Sequence, residues 1–187
     1  DKACGQSRFF KPEVMVCIPS GVTQVERRAV LDAAMSAGAK VAYLIDEPLA
    51  AAIGAKIPIA QPAGHMIVNI GGGSTESAVI SLGGIVISRN LRIAGEKMNE
   101  DIIQYARDEF QLLIGEKTAE EIKISIGSVS PLKEKLAATI KGRDLISGLP
   151  KEVLISDLEI SEAIAPSVNA IISEIRSVVE ETPPELI

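Results

Sequence analysis

The chain has few of the residues that carry metal, redox and aromatic chemistry. Its 187 residues include no tryptophan, three phenylalanines, two tyrosines, one histidine and two cysteines. His65 alone cannot build a histidine metal cluster or a serine-hydrolase triad, and Cys4 and Cys17 are too few for a disulfide framework or a zinc site. Any chemistry must therefore come from carboxylates, hydroxyl groups, backbone dipoles and a metal carried by a ligand.

The chain also lacks basic charge and long apolar runs. Its formal net charge is −6 and its isoelectric point is about 5.0, so we expect no direct binding of nucleic acid. No apolar run approaches the roughly 20 residues that cross a bilayer, and no signal peptide opens the chain. Hydrophobic residues make up 47% of the chain, enough for a substantial core. We therefore expect a globular, cytoplasmic protein.

The first third of the chain alternates strand and helix patterns. Residues 13–18 form a short apolar run, residues 23–26 form a capping box before a helical stripe, and residues 41–45 form the next apolar run. Pro48 suits the first turn of a second helix. This order predicts a largely parallel sheet. Two prolines and a glycine within residues 57–64 mark the best candidate domain boundary.

Three consecutive glycines stand in the middle of the chain. Residues 66–76 have the pattern strand, glycine turn, strand, because residues 77–82 stay extended where a P-loop or dinucleotide fold would begin a helix. Backbone N–H groups at such a turn can approach a phosphate closely, and Ser74 and Thr75 add hydroxyl donors. The alternative is a plain tight turn whose glycines supply positive φ angles.

The second half of the chain has helical periodicity on both sides of a stretch with strand periodicity. Residues 96–114 predict a helix, and residues 118–126 predict a shorter one. Short alternating pieces between residues 132 and 155 indicate a small subdomain that contains β-strands. Residues 158–179 predict a long helix.

Two motifs give the chain a family resemblance. They are Asp-Glu-Pro-Leu-Ala-Ala-Ala-Ile-Gly at residues 46–54 and Asn-Ile-Gly-Gly-Gly-Ser-Thr-Glu at residues 69–76. With them, the chain resembles the actin/Hsp70 ATPase superfamily and, within it, the MreB family of bacterial actin homologues. Further matching segments follow in the same order at residues 10–14, 19–21, 26–29, 79–85, 114–120 and 182–186. So ordered a set covers nearly the whole chain and is far more specific than the glycine turn alone.

The resemblance implies a partial actin-like ATPase fold of the ribonuclease H-like α/β class. Residues 1–63 would form the end of the first lobe. Residues 64–94 and 158–187 would form the core of the second lobe, with residues 95–157 as an inserted α+β subdomain. Because the family's first phosphate hairpin and its adenine-binding segment would lie outside this sequence, we expect about half of an ATP cleft.

The resemblance also assigns site residues. Glu47 and Ser74 match the catalytic pair that orients the water attacking ATP and draws off its proton. The implied nucleotide-binding residues are Asn69, Gly71, Gly72, Gly73, Ser74, Glu120, Glu121, Ile122 and Lys123. The glycines match a phosphate-binding hairpin, and Glu120 and Lys123 match the pair that faces the sugar. From the residues alone, Glu47 also suits the positive end of a helix dipole, and a Glu–Lys pair at this spacing is usually a solvated ion pair.

Three positions depart from the family pattern. Asn69 stands where the family has an aspartate that helps to hold magnesium and its waters, and a neutral amide should weaken that contact. We therefore expect slow or absent hydrolysis with nucleotide binding retained. Ser74 replaces a threonine but keeps the hydroxyl, and Glu121 replaces a common arginine, which removes a positive charge near the nucleotide.

Phe9 and Phe10 form an adjacent aromatic pair between Arg8 and Lys11. Such a pair can enter a lipid headgroup layer while the cations face anionic phosphates, and it matches the short hydrophobic loop of the resembled family. The alternative is that the two rings begin a strand and lie in a core.

The resemblance implies a cytoskeletal ATPase that uses ATP and magnesium and polymerises with itself. It would lie on the anionic inner face of the cell membrane and direct cell shape together with cell-wall elongation proteins. An actin-fold small-molecule kinase would need a polar substrate pocket in the first lobe, and the sequence has no convincing one. A chaperone-type ATPase would need a peptide-binding domain. A dinucleotide-binding oxidoreductase is disfavoured because a strand follows the glycines.

Overall fold

A computed structural model describes residues 11–130 and 132–186. In chain order the elements are β1 (Glu13–Ile18), α1 (Gln24–Ser36), β2 (Val41–Asp46), α2 (Glu47–Gly54), β3 (His65–Ile70), β4 (Thr75–Ser81), β5 (Gly84–Leu91), α3 (Gly95–Phe110), β6 (Leu112–Leu113), α4 (Glu116–Ile126), β7 (Ala137–Asp144), β8 (Pro150–Ser156), α5 (Asp157–Glu181) and a 3₁₀ turn at Pro184–Leu186.

The chain divides into two compact units. Within the described residues, unit 1 contains residues 11–69, 76–90 and 177–186, and unit 2 contains residues 70–75, 91–130 and 132–176. The sequence predicted a first lobe, a second lobe and an inserted subdomain with boundaries at residues 63, 94 and 157. The two compact units do not test these boundaries, which stay a prediction.

Unit 1 begins with a parallel pair of strands joined by a helix. β1 pairs with β2 in parallel, from Glu13 opposite Val41 to Ile18 opposite Asp46, which confirms the predicted strand–helix–strand order. Helix α1 starts at a capping box, in which the Thr23 N–H donates to the Glu26 carboxylate at 2.7 Å and the Glu26 N–H donates to the Thr23 hydroxyl at 3.3 Å.

Among the described residues, the second sheet has its strands in the order β3-β4-β5. Every residue of β4 is buried, which makes this strand the best-packed part of the sheet. A two-residue turn joins β4 to β5, with φ of 50° at Leu82 and 75° at Gly83, as a type I′ hairpin requires. The left-handed positions are thus Leu82 and Gly83, and Gly84 already begins the next strand.

Unit 2 packs α3, α4 and the sheet β6-β7-β8 around one apolar cluster. Fully buried members of the cluster include Ile102, Leu112, Ile140 and Ile155. The predicted helix over residues 96–114 is too long, because α3 ends at Phe110 and Gln111 takes a left-handed φ of 52°. This reversal lets residues 112 and 113 pair with β7 as a short antiparallel strand.

Gly142 in β7 provides a test of this packing. A Cβ atom at Gly142 would lie 2.5 Å from the carbonyl oxygen of Leu113 and 2.9 Å from Cγ of Leu112. We expect Gly142→Ala to lower the free energy of unfolding by about 1–3 kcal/mol, since neither the backbone oxygen nor the buried side chain can move freely. Urea unfolding of the full-length protein measures the loss.

Gly54→Ala is the matched control, because a Cβ atom there meets nothing within 4 Å. If Gly142→Ala and Gly54→Ala unfold at the same urea concentration, the close approach of β6 to β7 is wrong.

Candidate functional site

The three glycines between β3 and β4 form an exposed turn in unit 2. The Gly71 N–H donates to the carbonyl oxygen of Ser74 at 2.9 Å, which closes the turn. None of the three glycines has a left-handed φ, so the interpretation as a plain turn that needs positive φ is wrong. Their lack of side chains instead lets the Glu96 side chain lie close to the turn, because a Cβ atom on Gly72 would lie 3.0 Å from Oε1 of Glu96.

The first residues of α3 hold this turn through its carbonyl groups. The Gly95 N–H donates to the Gly71 oxygen at 3.1 Å, and the Glu96 N–H donates to the Gly72 oxygen at 2.8 Å. No hydrogen bond among the described residues uses the N–H groups of Gly72 or Gly73. A turn whose carbonyl groups already accept hydrogen bonds and whose N–H groups are unused is suited to bind an anion.

Lys123 brings a positive charge to the same part of unit 2. Its Nζ donates to the carbonyl oxygen of Gly95 at 2.8 Å. Glu120 is exposed, and Glu121 forms an exposed ion pair with Lys117 at 3.8 Å. The Ile122 side chain is buried in the apolar cluster. Of residues 120–123, the structure therefore connects Lys123 directly to the helix start that holds the glycine turn.

In unit 1, the structure brings together two further predicted site residues. The Asn69 amide Nδ2 donates to Oε1 of Glu47 at 2.9 Å, and this contact is partly buried. Glu47 is the first residue of α2, and Asn69 lies near the end of β3. Beside them, Arg27 and Asp46 form an ion pair at 2.6 Å that ties α1 to the end of β2.

A buried carboxyl group in β4 was not among the predicted site residues. Glu76 is only 2% exposed, and its Oε1 accepts the N–H of Ser20 at 2.6 Å as well as the Ser20 hydroxyl. Its Oε2 is buried without a hydrogen-bond partner. Burial raises the pKa of Glu76, the Ser20 hydrogen bonds oppose this, and the nearby charges of Glu47 and Asp46 raise it further. Only its place as the last residue of the motif at residues 69–76 gave any signal in the sequence.

The described residues do not fit a magnesium site made by protein ligands alone. They contain no group of three or more His, Cys, Asp or Glu side chains that could hold a metal ion. At the position from which a magnesium contact is expected, Asn69 donates its Nδ2 to Glu47, and its neutral Oδ1 is a weaker magnesium ligand than the oxygen of a carboxylate.

Phe9 and Phe10, the predicted membrane contact, lie outside the described residues. None of the helices in residues 11–130 and 132–186 has both the length and the apolar character to span a membrane.

Comparison with known families decides the family of this chain. The model of the MreB/Mbl protein family matches residues 1–187. The chain belongs to the MreB/Mbl family. This confirms the resemblance found in the sequence motifs.

Individual relatives support the same assignment. This MreB/Mbl chain is 46% identical over 178 residues to the cell shape-determining protein Mbl of Bacillus subtilis (strain 168), an alignment that covers 95% of this chain and 54% of Mbl. Crystal structures of MreB5 of Spiroplasma citri match it with a TM-score of 0.92 and 40% identity in the AMPPNP-bound state, and 0.90 and 42% in the ADP-bound state. These alignments cover 97% and 93% of this chain and 56% and 53% of MreB5.

A double helical filament of MamK matches the fold with a TM-score of 0.78 at 19% identity, covering 99% of this chain and 55% of that one. The MreB/Mbl chain therefore has a partial actin-like fold, as predicted. It spans about half the length of the relatives that it matches.

Glu76 gives a prediction for the pH dependence of stability. A raised pKa in the folded state means that the folded protein binds this proton more tightly than the unfolded chain does. Protonation of Glu76 therefore stabilises the folded protein, and this stabilisation is lost as pH rises through the pKa of the folded state. Glu76→Gln keeps an oxygen for both Ser20 donors and removes the buried charge. We expect the urea midpoint of the variant, relative to the unsubstituted protein, to increase as pH rises above 4.5, the ordinary pKa of this carboxyl group.

Glu180→Gln is the control, because Glu180 is exposed on α5. A midpoint difference for Glu76→Gln that does not change with pH would contradict the raised pKa.

Proposed function

We propose that the full-length protein binds ATP and assembles into actin-like filaments that determine cell shape. The observation that carries this proposal is the glycine turn, whose carbonyl groups are bonded to α3 and whose Gly72 and Gly73 N–H groups are unused. Lys123 adds a cation beside the start of α3. The crystal structures of MreB5 with ADP and AMPPNP support a nucleotide ligand for this turn. The β- and γ-phosphates would accept hydrogen bonds from the turn.

Hydrolysis would use Glu47 and Ser74. The Glu47 carboxylate can accept a hydrogen bond from the attacking water, and the Ser74 hydroxyl can help to orient it. Magnesium, when it accompanies ATP, neutralises phosphate charge; we propose that it arrives with the nucleotide, because the described side chains do not build its site. With Asn69 in place of an aspartate, turnover would be slow.

Self-association is the proposed output of nucleotide binding. The names of the relatives support it, since Mbl is called cell shape-determining and MamK is described as a double helical filament. Cell-wall elongation proteins are the proposed partners. No feature of the described residues favours a small-molecule kinase or a chaperone-type ATPase.

Substitution in the glycine turn tests nucleotide binding. In Gly72→Ala, the added methyl group would crowd Glu96 and obstruct the N–H groups of the turn. We expect the affinity of the full-length protein for ATP, measured by calorimetry, to fall at least about tenfold, and ATP-dependent sedimentation of filaments to fall with it.

Gly84→Ala is the matched control in the neighbouring hairpin, where the nearest atom to an added Cβ is 3.8 Å away. Equal ATP affinity in Gly72→Ala, Gly84→Ala and the unsubstituted protein would remove the proposed phosphate site.

We further propose a peripheral location on the cytoplasmic face of the cell membrane. Phe9 and Phe10, flanked by Arg8 and Lys11, carry this proposal through their sequence alone. Filaments that carry Phe9→Ser together with Phe10→Ser should no longer co-sediment with vesicles of anionic phospholipid. Sedimentation without vesicles checks that the filaments still form, and undiminished binding to the vesicles would defeat the proposal.

A further inference from the structure

The hydrogen bond between Asn69 and Glu47 joins the two residues on which hydrolysis is proposed to depend. The Asn69 amide donates to Oε1 of Glu47 at 2.9 Å. This hydrogen bond takes up acceptor capacity on the carboxylate that would otherwise be available to the attacking water. Among the described residues, it is the one hydrogen bond that the Glu47 side chain accepts.

Rotation of a side chain is the way to break this bond, because the backbone is held on both sides. The start of α2 is held, because Pro48 is fully buried and Asp46 is paired with Arg27 at 2.6 Å. The backbone of Asn69 is held as part of β3. Glu47 must therefore give up the amide before its Oε1 can turn to a new partner.

The amide at position 69 makes this contact attractive. An aspartate there would place two carboxylates at hydrogen-bond distance, and two like charges would repel each other. The neutral Asn69 side chain instead offers an N–H donor, which forms a charge-assisted hydrogen bond to the Glu47 carboxylate.

We propose that Asn69 is a positioning residue that clamps Glu47 in a resting orientation and thereby limits ATP turnover. The clamp acts on hydrolysis, while nucleotide binding depends on the glycine turn in unit 2. This inference rests on the proposed ATPase function, and it explains slow turnover by the loss of an acceptor rather than by the loss of a magnesium contact.

A double-mutant cycle on the full-length protein tests the clamp. ATP affinity and the turnover number are measured for the unsubstituted protein, Asn69→Ala, Glu47→Ala and the double variant. We expect Asn69→Ala to raise turnover about tenfold, the rate equivalent of one charge-assisted hydrogen bond, at unchanged ATP affinity. The increase should vanish in the Glu47→Ala background, because Asn69 acts through Glu47.

Two further variants separate the explanations. Asn90→Ala, at an exposed position in β5, should leave turnover unchanged. Asn69→Asp supplies the charge for magnesium, so turnover that rises in Asn69→Asp but not in Asn69→Ala would overturn the clamp in favour of metal placement. An increase that persists without Glu47 would overturn it as well. If Asn69→Ala does not fold, Asn69→Val replaces it, since a β-branched residue suits this strand position and valine has no hydrogen-bond donor.

Failure of the clamp and failure of the proposed function give different results. Absence of ATP binding in the unsubstituted protein would remove both. Normal ATP binding with unchanged or lower turnover in Asn69→Ala would remove the clamp alone.

Discussion

The candidate phosphate site depends on two backbone hydrogen bonds from the start of α3 to the glycine turn. Because Gly95 and Glu96 donate to the carbonyl groups of Gly71 and Gly72, the turn keeps one conformation and its remaining N–H groups stay available. Gly95 has little room for a side chain, since a Cβ atom there would lie 3.3 Å from the Gly71 oxygen. A helix start thus orients the turn, although the turn is not itself the start of a helix.

Strand β4 follows this turn and is buried along its whole length. Thr75 is fully buried, and its hydroxyl donates to the Ile93 carbonyl at 2.7 Å. The next residue, Glu76, is a less favourable choice for stability, because one of its carboxyl oxygens is buried without a partner. Two donors from Ser20 offset part of this cost. A costly buried acid near Glu47 and Asp46 is typical of a functional region, where local stability is given up for chemistry.

Local signals predicted most elements of the fold. The Thr23–Glu26 capping box marked the start of α1, and Pro48 marked the start of α2. Gln111 ends α3 without a glycine or proline signal in the sequence, and its left-handed conformation lets β6 pair with β7. The contact of Ser20 with Glu76 joins residues 56 positions apart, and no periodicity in the sequence encodes such a pair. The family motif indicated the candidate site residues. Their hydrogen bonds could not be predicted, because they join residues that only the folded chain brings together.

Two hydrogen bonds through Gly95 link helix α4 to the glycine turn within unit 2. Lys123, in the last turn of α4, donates to the carbonyl oxygen of Gly95, and the N–H of Gly95 donates to the Gly71 oxygen. A ligand group on α4 and a second one at the turn would both contact this chain of hydrogen bonds. By thermodynamic reciprocity, each would change the binding free energy of the other by the same amount.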